Sequence, residues 1–172
     1  EDVWWTYSYG PIDLEGGVGG VLVVCTDVTE QHKAREALAN ETQRLKTLFE
    51  QSPGFMAVLR GPAHTFELTN NAYRMLIGDR DVVGKPIDQA LPEIAGQGFV
   101  ELLDGVYRTG EPHIGRRSPV MLQKEPDAPM AQLFLDFIYQ PILGADGKVS
   151  GVFVEGVDVT DHALNNELAE LA

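Results

Sequence analysis

The sequence predicts an α+β domain: an antiparallel sheet of about five strands with short helices on one face, preceded by a linker helix and an orphan β-hairpin. Three observations predict it. Short runs of aromatic and β-branched residues recur, separated by Gly, Pro, Asn and Asp, which is the composition of strands and turns. One apolar set at helical spacing, Phe99, Leu102, Leu103, Val106 and Tyr107, lies among them. Lastly, one stretch occurs twice. FLDFIYQPILGADGKVSGVFVEGVDVT towards the C-terminus is matched near the N-terminus by WWTYSYGPIDLEGGVGGVLVVCTDVT.

The repeat has a definite offset. Tyr9, Pro11 and Ile12 lie 130 places before Tyr139, Pro141 and Ile142. Gly20, Val21, Val23, Asp27, Val28 and Thr29 lie 131 places before Gly151, Val152, Val154, Asp158, Val159 and Thr160. The one-residue difference falls in a Gly-rich turn, where insertions cost least. Two copies of one domain type are expected, the first cut short.

The elements follow in order. Residues 1–29 read as a β-hairpin turning at Gly16-Gly17 and ending in Asp27-Val28-Thr29. Asp and Thr are good N-caps, and Glu30 follows Asp27 as Asp161 follows Asp158, close to a capping box. Residues 30–51 contain no Gly or Pro and read as a helix stopped by Pro53-Gly54. In it Leu38, Leu45 and Ser52 fall seven apart, Thr42 and Phe49 lie between, and Ala34 and Leu48 flank them. This is a thin coiled-coil stripe; a surface helix packed on its own domain is the competing reading. Phe55-Met56-Ala57-Val58-Leu59 and residues 65–69 form a strand pair about a turn at Gly61-Pro62. Asn70 opens a short helix in which Tyr73 and Leu76 face inward. Residues 97–109 form the most regular helix, ended by Gly110-Glu111-Pro112. Residues 113–123, 130–142 and 148–157 are strands, with a Pro-rich loop at 124–129 and a turn at Asp146-Gly147.

These residues resemble the PAS sensor domains of bacterial signalling proteins. Asp158 and Thr160 match that family's Asp-x-Thr signature, as do Asp27 and Thr29. Ser52-Pro53 before an apolar strand is similar to a PAS start, Asn70-Asn71-Ala72 to its N-x-A opening, and Val83-Gly84-Lys85-Pro86-Ile87 to its glycine turn. The resemblance implies four segments: residues 1–29, the closing hairpin of an upstream PAS copy; 30–52, a linker or signalling helix; 53–160, a PAS domain; and 161–172, the start of an outgoing signalling helix. It implies a sensor module of a multi-domain protein, a sensor histidine kinase of a two-component system, with Asp158, Thr160, Asp27 and Thr29 holding the signal junctions. The alternatives are a ligand-free spacer that dimerises, or a module of a cyclic-dinucleotide synthase or phosphodiesterase.

Composition excludes several classes. A net charge of −13 argues against nucleic-acid binding, because phosphate contacts need clustered Lys and Arg, and Arg116-Arg117 is the one basic pair. The longest apolar runs, residues 21–25 among them, are too short to span a membrane, so no membrane contact by this segment is expected. One cysteine, Cys25, precludes an internal disulfide and fits a reducing, cytoplasmic compartment. It lies in an apolar strand, where thiols are buried and inert. The chain begins with Glu1, inside a hairpin, as a piece of a longer protein would.

No cofactor is predicted. Haem held as in some PAS domains needs a histidine on the long helix, and residues 97–109 have none. His113 lies just beyond it, His64 sits in a turn, and His32 and His162 follow Asp-Val-Thr as solvated residues. They show no metal-ligand spacing. The cysteine of the flavin light sensors is absent after Cys25; a non-covalent flavin stays open. No nucleophile–base set marks an enzyme. A small-molecule pocket between sheet and helix would be lined by Phe55, Ala57, Phe66, Tyr73, Leu76, Phe99, Leu103, Tyr107 and Phe137; a completely filled core is the competing reading. The uncovered hairpin and the helix stripe predict a homodimer through residues 4–25 and 34–49, against a monomer in which the hairpin folds back.

Overall fold

The computed structural model describes residues 2–163. The chain divides into two compact units, residues 1–47 and 48–172.

In the first unit, strands β1 (Trp5–Leu14) and β2 (Gly17–Asp27) pair antiparallel. Gly16, at φ 111°, makes the reversal with a backbone that a Cβ would disfavour. Trp5, Tyr7 and Tyr9 project to one face with Val21 and Val23, and all are exposed. Cys25 is exposed as well, so the expected burial of this thiol is not realised in the hairpin. Among the described residues of the first unit, nothing covers that face of the sheet. Helix α1 (Thr29–Gln51) follows, uninterrupted for 23 residues because no Gly or Pro intervenes. Leu38, Leu45 and Leu48 are exposed along it.

The second unit holds a five-stranded antiparallel sheet. Its strands are β3 (Phe55–Arg60), β4 (Thr65–Thr69), β5 (His113–Leu122), β6 (Ala131–Leu143) and β7 (Val149–Asp158), in the spatial order β4-β3-β7-β6-β5. Alternate residues point to one face: Phe55, Ala57 and Leu59, then Leu133, Leu135, Phe137 and Tyr139, then Val152 and Val154, all buried. Helices α2 (Asn71–Leu76), α3 (Ile87–Ala90) and α4 (Phe99–Thr109), with a 3-10 turn at Pro92–Ile94, cover that face. Phe99, Leu103 and Val106 are the buried stripe of α4, and Gly110 closes it with a left-handed φ of 72°.

The long helix starts at Phe99 rather than at Gln97. Gly98, at φ 93°, breaks the helical path. Gln97 is engaged elsewhere: its Nε2 donates to the Met121 carbonyl at 2.9 Å, and its Oε1 accepts from the Met121 N–H at 2.8 Å. One amide side chain thus pairs with the free edge of β5, which blunts an edge open to foreign strands.

The two hairpins share one register. Trp5 faces Asp27 as Leu135 faces Asp158; Tyr9 faces Val23 as Tyr139 faces Val154; Pro11 faces Val21 as Pro141 faces Val152. The register shifts between Ile12 and Asp13 in one and between Ile142 and Leu143 in the other. Among the described residues no helix is long and apolar enough to cross a membrane.

Candidate functional site

At both strand–helix junctions the same bonds form. Val28 accepts the first helical bond, from His32 N–H at 2.8 Å, as Val159 accepts from Ala163 N–H at 2.9 Å. The valine is therefore the N-cap, and the expectation that Asp or Thr caps the helix directly is corrected. Asp27 and Asp158 sit one residue earlier, and their Oδ1 atoms accept the N–H of Thr29 and Thr160 at 2.9 Å each, an Asx turn that fixes the approach. The threonines reach back to the start of the hairpin: Thr29 Oγ1 accepts from Trp4 N–H at 2.9 Å, Thr160 Oγ1 from Phe134 N–H at 3.0 Å. The valine N–H groups donate to the carbonyls of the same two residues, at 2.9 and 2.8 Å. Each helix start is thus clasped to the strand across the hairpin by two bonds. Hydrogen bonds from Thr29, its hydroxyl first and its backbone N–H second, hold the Asp27 carboxyl below the usual carboxylate range.

His32 is not simply solvated. It is half-buried and stacks on Trp4 with ring centroids 3.9 Å apart. His162 is exposed, as expected. The outgoing helix begins at Thr160; residues 164–172 lie outside the described residues.

Between sheet and helices lies a cavity of about 50 Å³. Of the side chains expected there, Phe55, Tyr73, Leu76, Phe99 and Phe137 line it. Ala57, Phe66, Leu103 and Tyr107 do not. Ala57 and Leu103 are fully buried in the packed core. The Phe66 ring packs edge-on against Tyr73 at 5.7 Å, and Tyr107 turns its edge to His64 at 5.9 Å. Ile77, Ile87, Leu91 and Ile94 from the helical side, and Val120, Leu122, Leu135, Tyr139 and Val154 from the sheet, complete the wall. No charged side chain takes part. Burial pushes the phenols of Tyr73 and Tyr139 above their ordinary ionisation range, with the neighbouring Tyr73 adding to the effect at Tyr139.

Phe55 and Leu76 belong to two places at once. They line the cavity, and on their other side they line an open groove that also includes Val157 and Asp158. The Phe55 ring also lies where a Cβ on Gly156 would stand, 2.5 Å from its Cζ. Hence the cavity wall touches β7 two residues before the junction aspartate.

Several organising residues escaped the sequence reading. Asn70 was recognised as a cap, but it is a hub: fully buried, its Oδ1 accepts from Tyr73 N–H at 3.0 Å and Met56 N–H at 2.8 Å, and its Nδ2 donates to the Gly54 carbonyl at 2.8 Å. His64 is 2% exposed, with Nε2 2.7 Å from Asp104 Oδ1 and Nδ1 without a partner. Glu93 receives Arg80 and the Gln123 N–H. Burial works to raise the Glu93 carboxyl, but these donors outweigh it and hold the group below its ordinary value. Among the described residues no group of His, Cys, Asp and Glu could hold a metal.

Residues 49–164 match the family described as the PAS fold. The match takes in more than half of the chain, and the chain belongs to the PAS family: this is a PAS sensory domain. Solved structures agree on the fold. A PAS domain from Colwellia psychrerythraea is 14% identical with a TM-score of 0.55, over 70% of this chain and 97% of that one. The PAS domain of BvgS from Bordetella pertussis is 21% identical with a TM-score of 0.52, over 79% and 98%. Vibrio cholerae VqmA, described as a dimer with a DNA target, is 24% identical with a TM-score of 0.54, over 70% of this chain and 52% of VqmA. At these identities the likeness is one of fold.

Proposed function

We propose that this chain is the sensing and relay segment of a larger bacterial signalling protein, a cytoplasmic sensor histidine kinase of a two-component system. Residues 1–29 are the closing hairpin of an upstream PAS copy, 30–52 the connecting helix, 53–160 the sensor domain and 161–172 the start of the outgoing helix. The observation that carries this reading is the junction clasp, formed twice from the same residues in hairpins of the same register. A structure repeated at the start of two consecutive helices is what a relay requires, since each sheet then hands its state to the helix that follows.

The relay works as a population shift. An occupant of the cavity displaces Phe55 or Leu76; Phe55 bears on Gly156, and β7 leads from there to Asp158 and the Thr160 clasp. The clasp has two arrangements, closed on Phe134 or released, and the outgoing helix turns or frays with it. No haem or covalent flavin is needed. The downstream effector domain reads the helix. A rival, the ligand-free spacer, is favoured by the small size of the cavity.

The test uses the full-length parent protein and labelled ATP. Phosphate on a histidine is expected, with its level changed several-fold by Asp158→Ala while the domain still melts cooperatively. Absence of phosphohistidine removes the kinase; an output indifferent to Asp158→Ala removes the relay.

A further inference from the structure

The cavity contains a chemical asymmetry. Its lining side chains possess two polar atoms between them, the hydroxyls of Tyr73 and Tyr139. Both residues are more than nine-tenths buried, 8% and 6% exposed. Buried phenols normally find a hydrogen-bonding partner, because leaving the group dry and unpaired is costly. Around this domain the rule is otherwise kept: among the described residues one buried side-chain atom, His64 Nδ1, is both shut from solvent and unpartnered. Neither phenol finds a side-chain or backbone partner among the described residues, neither oxygen is wholly enclosed, and both residues line the cavity.

We propose that the cavity receives a small, uncharged, mainly apolar molecule that carries one hydrogen-bonding oxygen or nitrogen, held by the hydroxyls of Tyr73 and Tyr139. This rests on the reading of the domain as a ligand sensor and specifies the ligand. Carboxylates and phosphates are rejected because no Lys, Arg or His lines the wall and a buried unpaired charge is strongly disfavoured. Cations are rejected because no carboxylate lines it and burial keeps both phenols protonated. Size sets a second limit. A cavity of about 50 Å³ is a third of the roughly 150 Å³ that holds benzene in an apolar core. As it stands it takes only the smallest such molecules, and a four-carbon ketone or a ring enters once half-buried Leu76 swings towards the groove it also lines.

The experiment is a methyl-labelled NMR titration of the whole chain with four probes: 2-butanone, xenon, acetate and tetramethylammonium. Saturable shifts at Ile77, Leu91 and Val154 are expected with 2-butanone and with xenon, and none with the two ions. Tyr139→Phe, which keeps the ring, should weaken 2-butanone roughly fivefold and leave xenon unchanged, as loss of one hydrogen bond requires. A melting curve establishes that the variant folds. Equal 2-butanone affinity in Tyr139→Phe, or saturable binding of either ion at the cavity methyls, overturns the assigned ligand class. Entry of xenon without 2-butanone also overturns it, while leaving a ligand-accepting sensor standing. If neither enters, the ligand class and the sensor reading fall together.

Discussion

Asn70 shows how one side chain can hold several elements. It ties the start of α2, the backbone of Met56 in β3 and the Gly54 carbonyl just before it, with no exposure to water. Asn70→Ala should therefore cost about 2–4 kcal/mol, because two buried N–H groups and a carbonyl lose their partner at once. A fall in melting temperature of roughly 10 °C is expected; a change within a degree or two would show that water replaces the amide. Glu93 gives a pH-dependent case. Its carboxyl is held below the ordinary value of 4.5, so its contribution to stability is complete above that value and is lost as pH falls through the lower folded value. Denaturant melts of wild type and Glu93→Gln, compared from about pH 7 to pH 3, should converge at the acid end; curves that stay parallel would remove Glu93 from the acid response. At this scale the sequence was only half legible. A signature can mark Asp158 and Thr160, but Thr160 acts on Phe134 across the hairpin, and only the register brings those two residues together. His64 read as a turn residue because its burial depends on Asp104 of α4, forty places away.

Elements were far more legible than contacts, because periodicity fixes a strand or helix locally. The alternation of β6 and the stripe Phe99, Leu103, Val106 of α4 stand in the sequence as they stand in the sheet and helix. The start of α4 did not, since Gln97 has good helix propensity and is diverted by the β5 edge. Of the nine side chains expected at the pocket, five line the cavity and four do not, for the same kind of reason. Facing inward was readable for Ala57 and Leu103, but which inward residues meet a void depends on how the helices α2 and α3 sit on the sheet. Two glycines test this packing in opposite directions. A Cβ at Gly156 would lie 2.3 Å from the Asp136 carbonyl oxygen, in backbone that cannot move aside, so Gly156→Ala should cost about 3 kcal/mol. Gly105, within α4, has nothing within 4 Å of its Cβ position, so Gly105→Ala should be neutral or gain up to about 1 kcal/mol through helix propensity. Chemical denaturation of both variants reads the difference; equal effects would mean that the β6–β7 pair relaxes freely around Gly156.

For the molecule as a whole, the question is what covers the hairpin. Trp5, Tyr7, Tyr9, Val21 and Val23 form an exposed apolar face, and they stand in register with Leu135, Phe137, Tyr139, Val152 and Val154, which are buried beneath helices in the second unit. An isolated two-stranded sheet is marginal in water, and a face of this composition seeks a partner. In a parent protein the rest of an upstream copy would supply it. In the 172-residue chain a second copy can supply it, and the exposed Leu38, Leu45 and Leu48 on α1 offer a further apolar line. A homodimer through residues 4–25 and 34–49 is the expected state. Sedimentation of the chain, of a version starting at residue 30, and of that version with Leu45→Asp should give a dimer, a weaker dimer and a monomer in turn. A monomer for the whole chain would mean that the hairpin satisfies itself within one molecule. A dimer unchanged across all three would place the interface on the second unit instead.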